Sequence, residues 1–106
     1  MTSFDGRENA YEVEFAHREE LRFKVRERAL KLLALWAAER LGKSGQAGEA
    51  YANDIVAMDV ANSTPDLAIG RVVTDLHASG VSESEVRRTM DQFSSQAEAL
   101  LRGHVS

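Results

Sequence analysis

At 106 residues, with 43% hydrophobic and 28% charged side chains, the chain is long enough for one modest core and too short for two domains. It has no cysteine, which excludes disulfides and thiolate chemistry, and no apolar run near the ~20 residues that a membrane-spanning helix requires. A net charge of −4 speaks against general nucleic-acid binding, and the first residues lack the basic and apolar segments of a signal peptide, so a cytoplasmic protein is expected.

Residues 1–20 are acidic, with Asp5, Glu8, Glu12, Glu14, Glu19 and Glu20 against Arg7 and Arg18. Phe4, Tyr11 and Phe15 are widely spaced among them. Tyr11 and Phe15 share a helical face, so a helix is open to this stretch, but it buries too little to hold one without a partner. Residues 1–19 are therefore expected to form an arm, largely disordered in isolation and helical when bound.

Residues 21–41 reverse the charge, with Arg22, Lys24, Arg26, Arg28, Lys31 and Arg40 against Glu27 and Glu39. Leu21, Val25, Ala29, Leu32 and Trp36 fall on one helical ridge, and Leu33, Ala37 and Leu41 on the next. Phe23, Leu30 and Leu35 lie partly off that stripe, and Phe23 and Leu35 are candidates for a partner-facing patch. Trp36 reads as core. Gly42 suits the residue just past a helix end, and Gly45 and Gly48 read as loosening the turn that follows.

Ala47, Tyr51, Ile55 and Met58, with Ala52 and Val56 beside them, mark a second helix. Asn62-Ser63-Thr64-Pro65-Asp66 is a break and restart. Thr64 is read as the cap, Pro65 as the first helical residue, and Asp66 as a carboxylate facing the positive helix end. Ile69, Val72, Val73 and Leu76 mark a third helix, closed by Gly80. Ser82 and Glu85 have the spacing of a capping box, and Val86, Met90, Phe93, Ala97 and Leu100 mark a fourth helix. Short connections favour antiparallel neighbours, so residues 20–106 are expected to form an all-α four-helix bundle behind a flexible N-terminal arm.

Chemistry finds little footing. Gly42-Lys43-Ser44 imitates the end of a phosphate-binding loop, but Ala37 stands where that loop needs glycine and no strand precedes it. His17, His77 and His104 are not spaced to hold a metal, and no metal or other cofactor is expected. His17 has acidic neighbours that favour its protonated form. No carboxylate pair sits in an apolar setting suited to acid–base work, and the serines fall in caps and the tail, so the chain is not read as an enzyme.

Over its first half the chain resembles the zeta subunit of the alphaproteobacterial F-type ATP synthase, a small inhibitor of the F1-ATPase. The resemblance rests on Phe4-Asp5-Gly6-Arg7-Glu8-Asn9-Ala10-Tyr11-Glu12, Phe15-Ala16-His17 and Glu20-Leu21-Arg22-Phe23-Lys24-Val25. It continues through Leu32-Leu33-Ala34-Leu35-Trp36-Ala37-Ala38-Glu39-Arg40-Leu41-Gly42 and Glu49-Ala50-Tyr51-Ala52. Beyond Val60 only helix spacing, Asp75-Leu76 and the Val86-to-Met90 region look alike. Gly6 stands where the family often has an acid, and Ala29-Leu30 replaces a more polar pair.

The resemblance implies a four-helix bundle whose arm enters the interface between an α and a β subunit of F1 and wedges against the γ rotor. The partner-binding residues it implies are Phe4, Asp5, Arg7, Glu8, Ala10, Tyr11, Glu12, Phe15, His17, Leu21 and Phe23. The protein would be a monomer when free, peripheral at the inner membrane through F1, with no nucleic-acid partner and no insertion into the membrane. The alternatives are a helical protein–protein interaction module with another target and a weak nucleotide-sensing regulator, both without F1 inhibition.

Overall fold

Gly42 sets the first boundary, with a φ of 75° that a residue bearing a β-carbon adopts only at a cost. The computed structural model describes the backbone of residues 2–62, 64 and 66–105, and the side-chain surroundings of residues 17–62, 64 and 66–102. Helix α1 (Thr2–Arg40) ends in a Schellman motif, in which the Lys43 N–H donates to Ala38 O at 2.8 Å and the Gly42 N–H to Glu39 O at 3.1 Å. The same motif closes α3 (Leu67–His77): Gly80 takes a φ of 80°, its N–H donates to His77 O at 3.1 Å, and the Val81 N–H donates to Leu76 O at 3.3 Å. Val81 then packs against the core.

Helix α2 (Gln46–Ala61) lies between these, and α4 (Glu83–Val105) completes the four-helix, all-α fold. The Glu85 N–H donates to the Ser82 hydroxyl at 3.2 Å, the N-cap half of the expected box. At the other end of α2, the Asn62 side-chain amide donates to Met58 O at 2.8 Å and satisfies one terminal carbonyl. The connections cover residues 41–45, 62–66 and 78–82, short enough to make successive helices antiparallel. α1 is the spine, touching all three other helices.

The core is apolar throughout the described residues. Ala29, Leu30, Leu33, Ala34, Ala37 and Ala38 of α1 meet Tyr51, Ala52 and Ile55 of α2, then Ala68, Ile69, Val72 and Leu76 of α3, and Val86, Met90 and Ala97 of α4. The alanines let the backbones approach closely, while Leu30, Leu33, Ile55 and Leu76 fill the volume between them. Each such large side chain contributes on the order of 1.5–3 kcal/mol by its burial.

Three polar clasps tie the helices at the rim. The Arg26 guanidinium grips Asp59 with two hydrogen bonds of 2.8 and 3.1 Å, joining α1 to α2. The Tyr51 hydroxyl donates to Asp75 at 2.8 Å, joining α2 to α3, and Arg71 holds the same carboxylate at 3.0 Å. Arg87 of α4 grips Asp66 at the head of α3 with bonds of 2.8 and 3.1 Å.

Several expectations are corrected. Leu30, placed off the main stripe, is fully buried; with three helices packed on it, α1 needs a wider apolar face than a single ridge supplies. Ala29 and Leu30, the pair that departs from the family's more polar one, thus belong to the core. Trp36 lies at the core's edge with the Arg40 guanidinium over its ring at 4.1 Å. Ala47 and Leu100 are exposed, Leu100 to 45%, so neither belongs to the core.

Gly48 is no turn residue but a buried position in the first turn of α2, where a β-carbon would come within 3.2 Å of Lys43 O. Asp66 takes the N-cap position of α3 without a capping hydrogen bond, because its carboxylate is held by Arg87. Thr64 lends its backbone oxygen to the Leu67 N–H at 3.3 Å, and Pro65 lies outside the described residues.

Candidate partner-binding surface

The helical backbone of α1 runs without a break through the boundary expected near residue 20. Positions 4, 11 and 15 then fall in the same helical register as 22, 26, 29 and 33, the line on which Ala29 and Leu33 enter the core. The side chains of Phe4, Asp5, Arg7, Glu8, Ala10, Tyr11, Glu12 and Phe15 lie outside the described residues.

The remaining expected residues are described, and they divide. His17, Arg18, Glu19 and Glu20 are all exposed, and burial begins with Leu21 and Val25. His17 and Leu21 are one turn apart on one side of α1. Phe23, two residues further, is carried about 200° around the axis by the helical repeat of roughly 100° per residue, and it stands 49% exposed. Leu35, the other candidate for an exposed patch, is partly buried against the core.

Leu21 belongs to a groove of 420 Å³ between α1 and α4. Val25 and Met90 form its apolar floor, and Arg18, Arg22, Arg26 and Arg102 ring it. Arg22 pairs with Glu19 at 3.3 Å and Arg102 with Glu98 at 2.7 Å. In the sequence Arg22 and Arg26 stand out only as part of the positive run of residues 21–41; their gathering with Arg102 depends on the packing of α4 and has no local signal.

Electrostatics reinforce the clasps. Hydrogen bonds from Arg87 hold the Asp66 carboxyl below its usual range. Burial, then the bond to Asp75, pushes the Tyr51 phenol above its ordinary value. Hydrogen bonding to Asp59 raises the Arg26 guanidinium. Among the described residues no three His, Asp or Glu side chains converge as a metal site, and no helix is long and apolar enough to cross a membrane. Lys43-Ser44-Gly45 forms the turn between two helices, with Lys43 Nζ 5.8 Å from the Tyr51 ring centroid.

A four-helix body led by one long helix whose entry is solvent-exposed defines an all-α helix-bundle protein. The model of the family described as ATPase inhibitor subunit zeta matches residues 1–99, leader and body together, and the chain belongs to that family. Its role is thereby regulatory, in inhibition of the F1-ATPase with which the family associates. No match was found among curated proteins.

Proposed function

We propose that this protein stops the F1-ATPase by inserting residues 1–19 as a helix at an α/β catalytic interface and lodging it against the γ subunit, while residues 20–106 anchor it outside. The observation that carries this reading is α1 itself: one helix runs from the leader into the core, and residues 17–20 are exposed just before burial begins. Starting a helix is the unfavourable step, whereas each further residue adds one hydrogen bond for one residue fixed. A leader continuous with the packed part of α1 needs only to extend a helix that already exists.

Ordering each residue costs about 1–2 kcal/mol, and burial of Phe4, Tyr11 and Phe15 returns roughly 1.5–3 kcal/mol apiece. Contacts from Asp5, Arg7, Glu8, Ala10, Glu12, His17, Leu21 and Phe23 supply the remainder. Free, the protein is a cytoplasmic monomer without catalysis of its own; bound, it is peripheral at the inner membrane through F1.

The test is ATP hydrolysis by purified F1 with and without the protein. The full chain inhibits, and the chain lacking residues 1–19 does not; equal inhibition by the two removes the leader from the mechanism. Phe15→Ala weakens inhibition more than Glu14→Ala, because one loses burial and the other a solvated charge. Matching inhibition constants for these two variants count against an aromatic-led contact.

A further inference from the structure

A second groove, of 600 Å³, lies on another face of the body, between α1 and α2 with Leu101 of α4 at its edge. Lys24, Arg28 and Lys31 line its α1 wall at positions i, i+4 and i+7, hence in one row, and Val56 and Val60 line its α2 wall. Val60 is 55% exposed and presents apolar surface to the groove. Glu27, half-buried, is the carboxylate in the lining.

The three cations are weakly engaged. Lys24 meets Glu20 at 3.4 Å and Lys31 meets Glu49 at 3.9 Å, both pairs at least half exposed and therefore of little energetic weight. Arg28 is exposed and makes no ion pair among the described residues.

A row of cations beside an apolar wall suits an acidic amphipathic helix, its apolar side on Val56 and Val60 and its carboxylates along Lys24, Arg28 and Lys31. The chain's own leader has the right chemistry and the wrong position. It precedes residue 24 on the same helix, whose course carries it along the axis and away from this groove. The row begins about one turn after the exposed residues 17–20, so a protein that takes in the leader is brought alongside it.

We infer that this groove is a second docking surface, which receives an acidic amphipathic helix of the same ATPase and sets affinity while the leader sets inhibition. The inference rests on the proposed function. It is tested with the full chain by titrating ATPase inhibition at low and high salt. Arg28→Glu combined with Lys31→Glu raises the half-inhibitory concentration about tenfold, equivalent to ~1.4 kcal/mol, flattens its salt dependence and leaves inhibition complete at saturation.

Arg88→Glu, at an exposed arginine of α4, matches the wild type. Arg28→Gln gives a smaller shift in the same direction and secures the result should the double variant melt early. An unchanged midpoint in both Arg28 variants overturns the groove assignment alone. So does finding that the row instead drives binding to phosphatidylglycerol vesicles or self-association in sedimentation. Failure of the wild-type chain to inhibit overturns the proposed function, and this inference with it.

Discussion

Gly48 and Gly70 both sit inside helices, yet a methyl group added at each meets different surroundings. At Gly48 the new β-carbon would lie 3.2 Å from the Lys43 carbonyl oxygen and 3.8 Å from the Ala38 β-carbon, where α2 crosses the end of α1. That carbonyl belongs to a turn fixed by the Schellman bonds around Gly42, so it yields poorly. At Gly70 nothing lies within 4 Å. Gly70→Ala therefore gains about 0.5–1 kcal/mol of helix propensity and melts higher, whereas Gly48→Ala loses more in crowding than it gains and melts lower. Thermal melts of the two variants that move in the same direction contradict this difference in packing. Sequence punctuation made Gly42 and Gly80 legible, because a left-handed residue at a helix end is a local matter. Gly48 was not legible, because its reason is the neighbouring helix.

At the scale of the element, helix ends and helix pairings differ in how far their causes reach along the chain. The Ser82 cap spans three residues and is readable. The clasps Arg26–Asp59, Tyr51–Asp75 and Arg87–Asp66 span 33, 24 and 21 residues, and no local rule selects those partners. Asp66 shows the conflict directly: the local pattern points to Thr64 as the cap, the structure puts Asp66 at the N-cap position, and the arginine on α4 takes its carboxylate. Since Arg87 lowers the folded-state pKa of Asp66, the clasp contributes stability above the ordinary carboxylate pKa of about 3.9 and loses it as pH falls through the folded value. Wild type should melt above Asp66→Asn at neutral pH, with the gap closing in acid. A gap that stays constant through the acid range contradicts the linkage. Tyr51 has the opposite sense: its raised pKa makes the α2–α3 clasp weaken only as pH climbs past about 10.

For the whole molecule, the all-α architecture was readable from periodicity, since four apolar stripes with short connections leave few other solutions. The exact faces were less so: Leu30 went inside and Leu100 outside because burial depends on how many helices converge at a level. The expected partner-binding residues are named from the order of aromatic and acidic side chains along the chain, whereas the grooves lined by Leu21 and by Val60 arise only when α2 and α4 pack on α1. Because residues 17–20 are exposed and the core begins beyond them, deletion of residues 1–19 leaves the body folded, with a melting temperature in calorimetry close to that of the full chain. A clear drop would mean that the leader packs on the body. Between Arg7 and Leu41 the chain has neither glycine nor proline, and α1 continues unbroken over its 39 residues. That stretch therefore lacks the residues that most often kink a helix. Under the proposed insertion, a load on its tip would pass along one continuous run of helical hydrogen bonds into the packed end of the protein.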